Sequence, residues 1–266
     1  RQEYLEGRRE AVRRRLGLDV HRPAIARQLE ALPAAYLMTT EPQQIAEDLR
    51  LLACLSPGQV HAQARYLPET QTVQFTIGTS EEVTPGIFHR LTGALSSKGL
   101  EILSAQIYTL ADGMVLDRFW VYDPDYAGPP PEERLEEVCE ALRESLRPEA
   151  RPPTFRRIWA VGMSGRQALV RPESRVLVDN HTSDRYTIID VITLDRRGLL
   201  YAITRTLFEL GYSVWRAKIG TYLDQVVDVF YVTDAASGEK VASAERLHHT
   251  RQRLLEVIEP ADPAAA

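Results

Sequence analysis

Apolar positions in this chain follow two periods in turn. Up to residue 58 they recur at helical spacing, with breaks: 3–16 is highly charged, 25–32 follows Pro23, and Pro42 opens 43–55, where Ile45, Leu49, Leu52 and Cys54 share one side. Pro57-Gly58 ends this part. From residue 61 the period switches to two. Segments 61–67 and 72–77, joined by Pro68-Glu69-Thr70, predict a hairpin. A helix is predicted over 86–98, with Ile87, Leu91, Ala94 and Leu95 on one side and Gly99 as its stop. Segments 102–110 and 114–122 flank Asp112-Gly113, a hairpin signal, and Leu135, Val138, Leu142 and Leu146 mark another helix.

The same order then returns. Strands are predicted at 175–178 and 186–193, a helix through Leu199, Ile203, Leu207 and Leu210 stopped by Gly211, strands at 214–222 and 226–233, and a helix through Leu247, Leu254 and Ile258. Pro85-Gly86-Ile87-Phe88, Leu91, Leu95, Gly99, Ala105 and Ile107 reappear 112 residues later as Arg197-Gly198-Leu199-Leu200, Ile203, Leu207, Gly211, Ala217 and Ile219. Asp117, Phe119 and Val121 answer Asp228, Phe230 and Val232 at a separation of 111, so the one-residue slip falls at a hairpin tip. The chain is a duplication.

The expected class is α+β, with each unit running β-β-α-β-β-α. A ferredoxin-like sandwich needs a fourth strand after its second helix. The short Pro/Ala-rich end offers none, so the leading strand is expected to take that place, giving two four-stranded antiparallel sheets with two helices on one face of each. The division expected is a helical segment at 1–58, a first unit at 59–150 and a second at 151–266. The second carries an extra hairpin, built from Phe155 to Val161 and Gln167 to Val170. In the second unit both parities of the last strand are apolar, Val227 and Val229 on one side and Val226 and Phe230 on the other. A water-backed antiparallel sheet alternates cleanly, so side-by-side packing, edge-to-edge joining or a homodimer is expected to cover the surplus.

Composition excludes several classes. At 266 residues and 44% apolar the chain can bury sizeable cores, and a formal charge of -5 gives no pull toward nucleic acid or anionic membrane. Two cysteines, Cys54 and Cys139, make no disulfide framework and fit a reducing cytoplasm. No apolar run reaches membrane-spanning length, and the start at Arg1 is that expected of a fragment. No HxxxH, HExxH or adjacent His-Asp pair occurs among six histidines, and no phosphate loop or GxSxG is present, so no catalytic or metal-ligating set is expected. Arg8-Arg9 and Arg13-Arg14-Arg15 interleave with Glu3, Glu6 and Glu10 at helical spacing, which reads as a packing or solvated surface.

Candidate binding chemistry lies in the turn before each unit's first helix. Gly198 allows a tight turn and leaves helix amides near a small anion, while Asp195 can cap those amides or accept from an ammonium group. The expected ligand loop is Asp195, Arg196, Arg197, Gly198 and Leu199, closed by Tyr212 and Ser213; a plain capped turn is the other reading. The matching loop, Val83, Thr84, Pro85, Gly86 and Ile87, has valine where Asp195 stands and is the weaker equivalent. Asp117 and Asp228, with nothing paired to them, read as structural rather than acid/base groups.

These residues carry a family likeness. The order βαββα with a glycine turn before the first helix resembles ACT domains, small regulatory modules that bind amino acids between two copies. Ser183 to Asp190, Asp195 to Tyr201, Ala217-Lys218-Ile219 and Val226 to Asp234 resemble the last ACT repeat of PII-protein uridylyltransferase/uridylyl-removing enzymes. Ala105, Ile107, Ala111-Asp112-Gly113 and Asp117 resemble the preceding repeat. Leu32-Pro33, Tyr36-Leu37 and Ile45 to Leu49 resemble the helical connector before the repeats. The resemblance implies glutamine sensing that controls uridylylation of the PII nitrogen regulator, with the catalytic portion of the same enzyme or PII as partner. Mg²⁺ belongs to that separate catalytic portion, whose paired aspartates and His-Asp pair are not in this chain. A ligand-free scaffold of tandem ACT domains is the alternative.

Overall fold

The computed structural model describes residues 2–155, 173–222 and 225–259. Four helices come first: α1 (Gln2–Leu16), α2 (Pro23–Glu30), α3 (Ala34–Thr39) and α4 (Pro42–Ala53). Proline starts two of them, where its missing N–H costs nothing. The six-residue α3 is too short to show a period and escapes sequence reading. The first repeat follows as β1 (His61–Leu67), β2 (Thr72–Ser80), α5 (Ile87–Ser97), β3 (Glu101–Thr109), β4 (Met114–Tyr122) and α6 (Glu132–Ser145). The second is β5 (Arg175–Asp179), β6 (Thr187–Leu194), α7 (Leu199–Glu209), β7 (Tyr212–Tyr222), β8 (Gln225–Asp234) and α8 (Ala244–Ile258). The extra hairpin expected before β5 falls almost wholly at 156–172, outside the described residues.

The leading strand of each repeat pairs antiparallel with the second, β1 with β2 and β5 with β6, and so fills the edge that a ferredoxin-like fold gives to its last strand. The two sheets are not separate. They join into one eight-stranded sheet in the order β1-β2-β4-β3-β7-β8-β6-β5, because β3 and β7 pair antiparallel and each removes the other's unpaired edge. That pairing centres on Ala105 opposite Ala217, equivalent residues of the two repeats, with Ser104 opposite Lys218 and Gln106 opposite Arg216. Above it α5 packs on α7, where the equivalent Thr92 and Thr204 share a hydrogen bond of 3.0 Å between their hydroxyls. A pseudo-twofold axis therefore runs through the middle of one chain.

One face of the sheet carries α5 to α8 over a continuous core that includes Phe75, Leu91, Phe119, Ile203, Leu207 and Phe230. The other face is treated differently in the two halves. Under the first repeat, α1 to α4 pack Leu16, Leu29, Leu37 and Leu49 against Tyr108, Leu110 and Leu116. A buried ion pair pins this layer: Arg118 on β4 donates to both oxygens of Asp48 on α4, at 2.7 and 2.8 Å, and through Nε to Thr76 Oγ1 at 3.2 Å. The Tyr36 hydroxyl also donates to Asp48. Arg8 and Arg13 of α1 serve this packing. Arg8 donates to the Leu37 carbonyl at 3.0 Å, and Arg13 bridges Glu6 and Glu30. Edge-to-edge joining thus covers the β3 and β7 edges, and the helices cover one far face. Under the second repeat Val227 and Leu177 stay exposed beside a Tyr186, Trp215 and Tyr231 cluster topped by Arg185 and Arg216.

Candidate functional site

The turn between β2 and α5 is shaped by Gly86. Its φ of 72° is left-handed, a conformation that costs a side-chain-bearing residue about 1–2 kcal/mol. Among the described residues no side chain caps α5, whose first intrahelical acceptor, the Gly86 carbonyl, takes the Arg90 N–H at 3.2 Å. The amides of Ile87, Phe88 and His89 precede that bond and are left to face whatever lies before the helix. What lies there is a cavity of about 230 Å³. This is below the roughly 300–1,000 Å³ of drug-sized pockets and suits a small metabolite.

Both repeats build the cavity. The first supplies the turn Thr84-Pro85-Gly86-Ile87, His89, Thr109 on β3 and Asp117 on β4. The second supplies Thr204 and Phe208 from α7 and Tyr212 to Trp215 from β7. The pairing of β3 with β7 and of α5 with α7 is what brings these walls together.

Among the described residues, three buried polar atoms at this cavity have no hydrogen-bond partner: both carboxylate oxygens of Asp117 and Nδ1 of His89. Native interiors rarely leave such atoms unmatched. Asp117 sits between Ile77 and Ile107 on the neighbouring strands and is fully buried; burial alone pushes its carboxyl up to about 8. It is therefore mostly protonated at neutral pH. His89 folds back over the turn, so close that a methyl group on Gly86 would meet its ring at 2.1 Å, and it packs on Phe208 at 5.0 Å between ring centres. Burial, aided by Arg90 and Arg205, lowers its imidazole to about 4, so it is neutral.

The equivalent turn of the second repeat is built alike and occupied differently. Gly198 has φ 72° and no side-chain cap, but the Phe155 ring lies against it, within 2.7 Å of where a methyl group would stand. Asp195, Arg196 and Arg197 are exposed, and Arg196 donates to the Val257 carbonyl at the end of α8. Leu199 is buried, and its N–H bonds the Arg196 carbonyl at 3.1 Å. Tyr212 and Ser213, expected to close over Asp195 and Gly198, instead stand in the wall of the cavity at Gly86. The Tyr212 hydroxyl is bound within its own repeat, to Thr250 at 2.7 Å.

Sequence reading thus named both glycine turns and the Tyr212-Ser213 corner, and joined the corner to the other turn. It set Asp117 aside and weighed His89 only as a metal-ligating or catalytic histidine. A signal for Asp117 was present: Val115, Asp117 and Phe119 alternate onto one face of β4, which places a carboxylate among core side chains. Among the described residues no three His, Cys, Asp or Glu side chains converge as a metal site, and no helix is long and apolar enough to cross a membrane. A Mg²⁺ centre for nucleotidyl transfer does not fit the residues described.

Comparison with known proteins agrees with this architecture. Residues 175–261 match the family model described as ACR9-like, ACT-like domain. The chain is 36% identical to the bifunctional uridylyltransferase/uridylyl-removing enzyme of Azospirillum brasilense, over 68% of this chain and 19% of the relative. It is 34% identical to that of Gluconobacter oxydans over 74% of this chain and 20% of the relative. Against that of Zymomonas mobilis the identity is 28%, over 98% of this chain and 28% of the relative. The chain therefore spans 19–28% of the length of these curated relatives. Duplicated β-β-α-β-β-α units, a glycine turn before each first helix and these matches together make this chain an ACT-like regulatory region similar to part of the bacterial bifunctional uridylyltransferase/uridylyl-removing enzymes.

Proposed function

We propose that this chain is an amino-acid sensor, that its ligand is glutamine, and that it controls a uridylyl-transferring and uridylyl-removing catalytic portion acting on PII. The observation that carries this reading is the cavity between the repeats, where the uncapped start of α5 meets unpartnered polar groups. Helix amides attract a carboxylate, and the polar walls, with Thr84, Thr109 and Ser213, suit an uncharged polar side chain. Because both repeats line it, a ligand there favours one mutual packing of α5 and α7 over another. That differential affinity is the output of a sensor, and a coupling of about 1–3 kcal/mol suffices for control.

The turn Asp195 to Leu199 is the second candidate position, reached once Phe155 leaves Gly198. Titration calorimetry of this chain against each of the twenty amino acids tests the reading. Saturable heat with glutamine at millimolar concentration or below is expected. No heat with any of the twenty would overturn it.

A further inference from the structure

We infer that Asp117 is the group that recognises the ligand's α-ammonium in the inter-repeat cavity, and that it gives up a proton each time a ligand binds. This rests on the amino-acid reading above and names the residue through which it works.

A zwitterionic α-amino acid carries an anion and a cation a few ångströms apart, and each needs its complement. The uncapped amides of α5 complement the anion. For the cation, the candidates among the described lining residues are Glu81, His89 and Asp117. Glu81 is exposed to water, and a water-facing carboxylate gives little selectivity. His89 is neutral and has its Nδ1 buried without a partner, which equips it for a neutral hydrogen bond. Asp117 is fully buried with both oxygens unmatched, on the face of the sheet that carries α5. The stacking of Phe88, from the first turn of α5, on Phe119, two residues along β4, fixes that face beneath the helix start, at 5.8 Å between ring centres.

The proton balance follows. Asp117 is mostly a neutral acid at pH 7, since its neighbours across the strands are Ile77 and Ile107 and, among the described residues, no charge offsets its burial. An ammonium group favours the carboxylate, so binding breaks the Asp117 O–H bond and sends that proton to buffer. His89 titrates near 4, and burial raises the Tyr212 phenol above its ordinary value. The repeat-equivalent Asp228 shares the buried position on β8 but does not line this cavity. One of its oxygens takes a bond from the Gly220 amide.

Calorimetry with L-glutamine at pH 7, in two buffers of different ionisation enthalpy, reads the released protons directly. Close to one proton per bound glutamine is expected, with affinity rising up to about tenfold per pH unit between pH 6 and 8. D117N should lose the release and bind at least tenfold more weakly, whereas D228N should keep both. The α-hydroxy analogue of glutamine, which lacks the ammonium, is titrated into the unaltered protein so that the test survives misfolding of D117N. It should neither bind as tightly nor release a proton. Glutamine binding without proton release, or equal affinity for the analogue, overturns the role of Asp117 and leaves the sensor reading standing. No glutamine binding at all overturns both.

Discussion

Thr92 and Thr204 hold the same place in the two repeats, and their hydroxyl oxygens meet at 3.0 Å, within hydrogen-bond distance. Each is also anchored to its own helix, Thr92 to the His89 carbonyl and Thr204 to the Leu200 carbonyl, both at 2.8 Å. A residue that meets its own counterpart marks a symmetry axis, and Ala105 opposite Ala217 marks the same axis in the sheet. Any pocket off this axis has a twin. Here the twins differ: one opens at Gly86, and the other is covered by Phe155 at Gly198.

That asymmetry gives the first prediction. Replacing Phe155 by Ala removes the ring from the Gly198 turn and exposes a second helix start. Glutamine stoichiometry measured by calorimetry should rise from one per chain to two. A value that stays at one would show that Phe155 does not control access to Asp195 and Gly198.

The glycine turn itself is testable by comparison. Gly86→Ala meets both an unfavourable φ of 72° and the His89 ring at 2.1 Å. Gly99→Ala meets a φ of 80° with open space around it. The Gly99 change should cost roughly 1 kcal/mol in urea unfolding, from backbone strain alone. The Gly86 change should cost more and weaken glutamine binding, because His89 must leave the position it takes over the turn.

Asp48 and Arg118 form a bidentate pair with both side chains at or below 2% exposure. Asp48→Ala leaves a buried guanidinium uncompensated and should cost about 3–5 kcal/mol. The double change Asp48→Leu with Arg118→Met removes both charges and should recover most of that loss. The midpoints of urea unfolding, compared across the three proteins, separate the penalty of a stranded charge from the net worth of the pair.

Asp228 makes stability depend on pH. Burial is the first cause of its raised pKa, to about 8, with Asp195 nearby adding to the rise and the Gly220 amide opposing it. The unfolded chain gives up this proton near pH 4 while the folded chain keeps it until about 8, so the folded state binds more protons in between. Stability should therefore fall as pH rises from 4 to 8, by about 1.4 kcal/mol per unit for this group, and level off above. Asp228→Asn should flatten that slope and melt higher than the unaltered protein at pH 8, with the advantage gone by pH 5. Parallel melting curves across this range would exclude the mechanism.

The cavity and its chemistry were only partly legible beforehand. Both glycine turns were visible because a left-handed turn before a helix demands glycine, and Tyr212-Ser213 stood out by following the next helix stop. His89 looked like any polar residue on a helix. Only the fold shows that it bends over Gly86 and meets Phe208 and Tyr201 of the other repeat.

Period and punctuation are local properties of a chain, and they determined the duplication, the order of strands and helices and the replacement of the last strand by the first. The sheet order confirms that replacement. Which turn faces which corner is a different kind of fact. It depends on β3 finding β7 across 112 residues and on Phe155 packing at Gly198 rather than Gly86. Edge pairing uses backbone groups that every residue but proline carries, so the sequence could suggest edge-to-edge joining without showing which edges meet. The unmatched carboxylate of Asp117 became meaningful only when two repeats closed a cavity around it.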